Sequence, residues 1–203
     1  MFSIQDYKKK AIGLLREWKK ERYAFGIGSL EKVGEFARRE GSSCMLVVTG
    51  WGREKWIEPF VEEAKFYLER SEIVIKDIIV GARPNAPRED VYRIANQIGK
   101  IEPATVIAIG GGSTIDAVKA AVVLSILKPD DVEAYCGMVL VRKMLDREGK
   151  RLPPFIAVQT AASSGAHLTK YSNITDPLTG QKKLIIDEAI VPPWAVFDYK
   201  STI

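Results

Sequence analysis

The chain has 203 residues, 46% of them hydrophobic, which suffices for one sizeable core or two small ones and excludes a disordered polypeptide. Its 30 basic and 26 acidic residues leave a formal charge of +4, and the longest basic run, Lys8–Lys10, falls with Lys19–Lys20 in a helix-like N-terminus, so no nucleic-acid partner is expected. No apolar run approaches the roughly 18–20 residues of a membrane span and the first residues are charged, so the expectation is a cytoplasmic protein with no membrane partner. Cys44 and Cys136 match no metal or redox spacing and read as reduced thiols. A single histidine, His167, excludes a metal site built on two or three histidines of this chain alone.

In chain order, apolar positions Tyr7, Ala11, Leu14, Leu15 and Trp18 among lysines and glutamates predict an amphipathic helix over 5–22, packed on the outside of the remainder. Residues 1–22 are therefore expected as an N-terminal helical segment, and 23–203 as one domain. A second helix is predicted over 30–39, stopped by Gly41, and Cys44–Thr49 reads as a strand buried on both faces. A helix near 54–70, a strand at 73–80, a Pro/Asn/Pro turn at 84–87, a helix to about Lys100 and a buried strand at 104–109 follow. Gly110, Gly111, Gly112 and Ser113 then open a helix predicted over 114–127. Alternating strands and helices imply right-handed crossovers and a doubly wound, mainly parallel α/β sheet, with ligands beyond the carboxyl ends of the strands. After Pro153 come a strand at 155–158, a small and polar stretch at 159–165, a β-hairpin of 168–175 and 182–186 around a five-residue loop, and a last strand at 194–197.

The glycine turn carries the strongest chemical signal. Without Cβ atoms the backbone can meet a ligand directly, and the helix that follows offers unpaired N–H groups and a positive dipole end suited to a pyrophosphate. Ser113 adds a hydroxyl, and Asp116, three residues on, is placed to return to the cap in a capping-box arrangement. Neither common phosphate motif fits. The P-loop lacks its lysine, and the G-x-G-x-x-G fingerprint meets Ile115 here, and Glu31 after Gly26-x-Gly28, at its third glycine.

The ordered series Pro84-Asn85-Ala86-Pro87, Gly110-Gly111-Gly112-Ser113-x-x-Asp116-x-x-Lys119, Thr160-Ala161-Ala162-Ser163-Ser164-Gly165-Ala166-His167-Leu168-Thr169, Ile174-Thr175-Asp176 and Val196-Phe197-Asp198 resembles the iron-containing (group III) alcohol dehydrogenases, over about residues 23–203. The resemblance implies a nicotinamide dinucleotide as partner. Gly111, Gly112 and Ser113 would hold its pyrophosphate and Asn85 would approach the ribose. Thr160, Ala161, Ser164 and Thr169 would line a loop over the diphosphate and nicotinamide ribose, and Lys182 would reach it from the hairpin. Ser163, Ala166 and His167 depart from the family pattern of Gly, Ser and Glu, and His167 is expected to serve structural hydrogen bonding. Where NAD-preferring members often carry Asp after the first strand, this chain has Gly50, with Arg53 and Lys55 near, so NADP is expected over NAD.

The family's Fe²⁺ or Zn²⁺, held by an Asp and three His of a C-terminal all-helical domain, has no counterpart in these residues. The resemblance therefore implies the cofactor-binding half of an alcohol or aldehyde oxidoreductase, inactive without a helical metal-binding domain or a separate chain supplying it, with a homodimer as a further possibility. Two alternatives stand beside it, a non-catalytic nucleotide-binding module and a domain of a polyol or sugar-alcohol phosphate dehydrogenase.

Overall fold

The computed structural model describes residues 3–128 and 131–202; Met1 and Ile203, the outer limits of the two predicted segments, lie outside the described residues. In chain order the elements are α1 (Ile4–Lys19), β1 (Tyr23–Gly26), α2 (Lys32–Glu40), β2 (Ser43–Val48), α3 (Glu58–Arg70), β3 (Val74–Val80), α4 (Arg88–Ile101), β4 (Thr105–Gly110), α5 (Gly112–Leu127), β5 (Gly137–Met138), α6 (Leu140–Glu148), β6 (Phe155–Gln159), β7 (Tyr171–Thr175), β8 (Lys182–Ile186) and β9 (Trp194–Asp198).

Six strands form one sheet in the order β1-β9-β6-β4-β2-β3, with every neighbouring pair parallel. Because successive side chains point to opposite faces, the apolar runs of the central strands serve two cores. Met45, Val47, Val106, Ala108, Phe155 and Ala157 pack under α4 and α5, whereas Cys44, Leu46, Val48, Ile107, Ile109, Ile156 and Val158 pack against α2 and α3. The fold is thus the doubly wound α/β arrangement predicted above.

From β2 the chain steps outward to β3, then crosses back to place β4 on the other side of β2. The segments leaving β2 and β4 run to opposite faces of the sheet, so the crevice in which open α/β sheets bind ligands falls between the carboxyl ends of these two strands. The predicted hairpin is present as the antiparallel pair β7/β8, with its loop one residue longer than expected. It belongs to a second sheet, β5-β8-β7, that lies along α5. Three elements were not predicted: β1 and β5 are too short to carry a pattern, and α6 takes its N-terminal cap from afar, the Asp187 carboxylate accepting the Arg142 N–H at 2.9 Å.

Loop 160–165, which leaves β6, is held from beneath by a relay of side chains, His167 and Gln159 buried and Tyr23 half-buried. The Tyr23 hydroxyl lies 3.1 Å from His167 Nε2, and His167 Nδ1 lies 3.2 Å from Gln159 Oε1. Gln159 Nε2 donates to the Ala161 carbonyl at 2.6 Å, so its oxygen faces the histidine. That fixes the tautomer: Nδ1–H donates to Gln159, and Nε2 accepts from Tyr23. Burial, with the charges of Lys119 and Lys19 adding to it, holds the imidazole down to about 4, so His167 is neutral at pH 7. Unfolded, it would titrate near the ordinary value of 6.5. Between the two values the unfolded chain binds more protons than the native one, so stability is complete above pH 6.5 and is lost as pH falls towards 4. The loss at pH 4 is expected to reach about 3 kcal/mol, with His167→Gln flattening the slope in urea titrations. Because the chain has one histidine, its NMR imidazole resonance reads the same quantity directly; a midpoint near 6.5 in the native protein would contradict the relay.

Candidate nucleotide-binding crevice

The crevice is dominated by the N-terminus of α5. Sequence reasoning placed the cap at Ser113 with Asp116 returning to it, and the structure corrects this. The helix begins at Gly112 with Gly111 as its N-cap, no side chain caps it, and its first turn holds no acid. Ile115 N–H is the first to find an intrahelical carbonyl, that of Gly111 at 3.2 Å. The earlier N–H groups point into the crevice with the positive end of the dipole, a ready anion site. Asp116, the fifth residue of the helix, lies two residues too deep to reach the cap and instead accepts the Asn173 N–H at 3.1 Å. Ser113 Oγ is also committed, accepting the Asn85 N–H at 3.0 Å.

Around this terminus the structure gathers the sequence-selected residues. The Pro84–Pro87 turn bends through two left-handed residues, Asn85 (φ 66°) and Ala86 (φ 48°). Such backbone needs external support when it is not glycine. It comes from Ser113 on one side and from β7 on the other, where Thr175 Oγ1 donates to the Asn85 carbonyl at 2.7 Å and the Thr175 N–H to the Ala86 carbonyl at 3.1 Å. Arg93 donates to the Val80 and Gly81 carbonyls at 2.8 Å, and Asp90 accepts the Arg83 N–H at 2.9 Å, so the loop is also anchored to α4. Lys182 pairs across the hairpin with Thr175, which places it at the Asn85 edge of the crevice, exposed.

Loop 160–165 closes the other side. Thr160 is buried and its N–H donates to the Gly110 carbonyl at 3.1 Å. Ser164 stands directly over Gly112: a Cβ at that glycine would lie 2.5 Å from Ser164 Oγ, so only glycine allows the two to approach. A Cβ on Gly111 would touch Ala161 at 4.0 Å.

Farther along α5, Lys119 is fully buried, and its ammonium donates to the carbonyls of Thr169 at 2.8 Å and Tyr171 at 2.6 Å. Asp116 lies 3.5 Å away as its counter-charge. Burial lowers the lysine to about 8 against the pull of Asp116, and burial raises the Asp116 carboxyl against the pull of Lys119. The lysine therefore straps the segment containing Thr169 to the helix that presents Gly112. Lys119 appeared in the sequence as part of a motif with no role; only the fold shows what it reaches.

Gly50 lies across the crevice, in the turn after β2. Its φ of 63° favours glycine, and a Cβ there would meet the Glu54 side chain at 2.5 Å. Sequence reasoning counted only Arg53 and Lys55 near this position; the turn folds back so that Glu54 packs against Gly50 as well.

The profile of the family described as iron-containing alcohol dehydrogenase matches residues 20–199. An NADPH-dependent butanol dehydrogenase of Clostridium saccharobutylicum is 29% identical over 174 residues, covering 86% of this chain and 42% of that protein. A long-chain primary alcohol dehydrogenase of Thermoanaerobacter ethanolicus is 28% identical, covering 86% and 42%. Among solved structures, a 1,3-propanediol oxidoreductase superposes with a TM-score of 0.75 at 23% identity, over 89% of this chain and 44% of the other. A sulfoacetaldehyde reductase of Bifidobacterium kashiwanohense in complex with NAD+ gives a TM-score of 0.69 at 27% identity, over 89% and 45%. The chain thus spans less than half the length of these relatives, and within that span it belongs to the iron-containing alcohol dehydrogenase family.

Proposed function

We propose that this chain is the nicotinamide-dinucleotide-binding domain of an oxidoreductase acting on alcohols or aldehydes. The observation that carries the reading is the uncapped, acid-free N-terminus of α5, which opens at the switch point of a parallel sheet beneath a loop that approaches Gly112. In this reading the N–H groups of Gly111, Gly112 and Ser113 hold the diphosphate, and Asn85 faces the ribose beside it. Thr160, Ala161, Ser164 and Thr169 line the covering loop, Lys182 supplies a cation from the hairpin, and Gly50 borders the adenosine end. The cofactor, when bound, supplies the hydride acceptor or donor; the chain's residues hold the diphosphate, orient the ring and keep the strap closed.

The residues described do not fit the family's metal. Among them no group of three His, Cys, Asp or Glu side chains is placed to hold an ion, and both ring nitrogens of His167 are engaged. No chemical step is therefore assigned to iron or zinc here, and turnover in this reading requires a metal-binding helical domain or chain beyond these residues.

NADPH fluorescence titration of the full chain tests the reading. Saturable binding is expected, with Gly112→Val weakening it at least tenfold because its side chain collides with Ser164 and fills the space above the helix terminus; Gly99→Val, in α4 where a Cβ would meet nothing within 4 Å, serves as the control. Absence of binding by the parent chain would overturn the proposal. The preference for NADP over NAD rests on Arg53 and Lys55 near Gly50 outweighing the Glu54 side chain that packs against the same glycine. NADPH is expected to bind more tightly than NADH, and Arg53→Glu with Lys55→Glu is expected to reverse the order; equal or tighter NADH binding by the parent chain refutes the preference.

Lys119 provides a separate test. Lys119→Met strands the Thr169 and Tyr171 carbonyls and a buried carboxylate, so a loss of about 3 kcal/mol is expected in denaturant unfolding. Adding Asp116→Asn should restore part of it, since that variant removes the uncompensated charge. A single-variant loss below 1 kcal/mol would show that the strap does not depend on the lysine.

A further inference from the structure

Helix α1 is built as a finished helix yet buries almost nothing. Its N-terminus is closed by a reciprocal capping box between Ser3 and Asp6. At its C-terminus the Lys19 ammonium donates to the Pro192 carbonyl at 2.7 Å, and Lys19 is its one buried residue. Ile12 and Leu15, half-buried, are the other residues turned towards the domain. The remaining apolar side chains are largely exposed: Ile4 is 74% exposed, Tyr7 63%, Leu14 58% and Trp18 54%, the last at the rim of a cleft shared with Leu145, Pro153 and Pro192, with Ala11 exposed between them.

The spacing of these five, 4-7-11-14-18, alternates three and four, the a/d seam of a helix that packs lengthwise against another helix. At 100° per residue they fall within an arc of about 80°. That is narrower than the face by which a surface helix covers its own core, and narrower than the broad apolar face of a helix lying in a lipid interface. The stripe runs the length of the helix, which at 16 residues is about 24 Å.

The charge around the stripe is predominantly basic, with Glu17 beside Trp18 an acidic exception at a g position. Lys8 and Lys10 flank Tyr7 at the e and g positions, and residues 3–22 hold seven of the chain's 30 basic residues against three of its 26 acidic ones. The rest of the chain balances at 23 of each, so the entire surplus of +4 lies in this segment. The family match begins at residue 20, leaving α1 outside it.

We propose that α1 is a docking helix whose apolar stripe seats lengthwise against an acidic amphipathic helix of another protein. The stripe supplies the buried contact, and the lysines beside it select a partner with carboxylates at the facing positions. A second copy of the chain is the poorer occupant, because pairing α1 with itself brings two segments of charge +4 together.

The probe is a synthetic three-heptad peptide with Leu at a and d and Glu at e and g, titrated with the 203-residue chain and followed by fluorescence anisotropy. Saturable binding that weakens as salt is raised is expected. Leu14→Asp should weaken it at least thirtyfold, and Lys8→Glu with Lys10→Glu at least tenfold. The same peptide with Lys at e and g should bind at least tenfold more weakly. Equal binding of the two peptides would overturn the proposal, as would tighter binding to phosphatidylglycerol vesicles than to the acidic peptide. A chain dimer dissolved by Leu14→Asp in sedimentation would assign the stripe to a second copy instead. Thermal unfolding of Leu14→Asp is expected to match the parent; a markedly lowered melting temperature would show that the stripe serves the chain's own core. None of these measurements involves the dinucleotide, so this inference and the functional reading stand or fall separately.

Discussion

Helix α5 has no solvent face, and much of the structure follows from that constraint. Its residues from Thr114 to Leu124 are all buried, among them three that carry polar side chains, Thr114, Asp116 and Lys119. A helix in that position must settle its polar groups within the protein, because water is not available to do it. Lys119 and Asp116 do so by reaching into one neighbouring segment, the lysine to the carbonyls of Thr169 and Tyr171 and the carboxylate to the N–H of Asn173. Ser172 completes the contact by donating to the Asp116 carbonyl at 2.7 Å. Strand β7 is therefore held along α5 by charge-assisted bonds as well as by Ile174 in the core. At the amino end of the helix the N–H groups before Ile115 have no intrahelical partner, and that end faces the crevice.

The loops that frame the crevice are each fixed by groups lying behind the surface they present. The Asn85–Ala86 bend is held by Ser113 and Thr175, the 160–165 loop by the Tyr23–His167–Gln159 relay, and the Thr169 segment by Lys119. Supports of this kind leave the exposed backbone free for a ligand while removing the conformational freedom that binding would otherwise have to freeze. The departure of His167 from the family pattern acquires a physical meaning in this light. A neutral imidazole, accepting from one side and donating to the other, joins the β1 tyrosine to the loop backbone without placing a charge beneath it.

How far the sequence could be read depended on whether a pattern was local. The buried strands and the glycine turn were legible because a continuous apolar run ending in three glycines has few structural solutions, and the hairpin because Asp176–Gly180 separates two alternating segments. Helix α6 was not, although Leu140, Val141, Met144 and Leu145 carry helical spacing, because its cap is the distant Asp187 and Val139 before it is left-handed. The roles of Asp116 and Ser113 were misjudged for a related reason. Both are good capping residues, and only the true start of α5 at Gly112 shows that their partners are Asn173 and Asn85, distant in sequence and close in the fold. Glu54 was missed because the turn at Gly50 folds the chain back on itself.

The chain carries two separate surfaces, and their separation is itself a consequence of the parallel sheet. The crevice lies at the carboxyl ends of the strands, whereas α1 is pinned near Pro192, before the amino end of β9. A strand of five or six residues sets them about 17–20 Å apart. Between them the two cores are continuous with the sheet, and Lys19, bound to the Pro192 carbonyl, links α1 towards the crevice because its charge helps to hold His167 neutral. Changes at that distance with no common partner act additively. The outward residues of α1 can thus alter what the chain attaches to while the crevice keeps its geometry, whereas Lys19 also belongs to the electrostatics around His167.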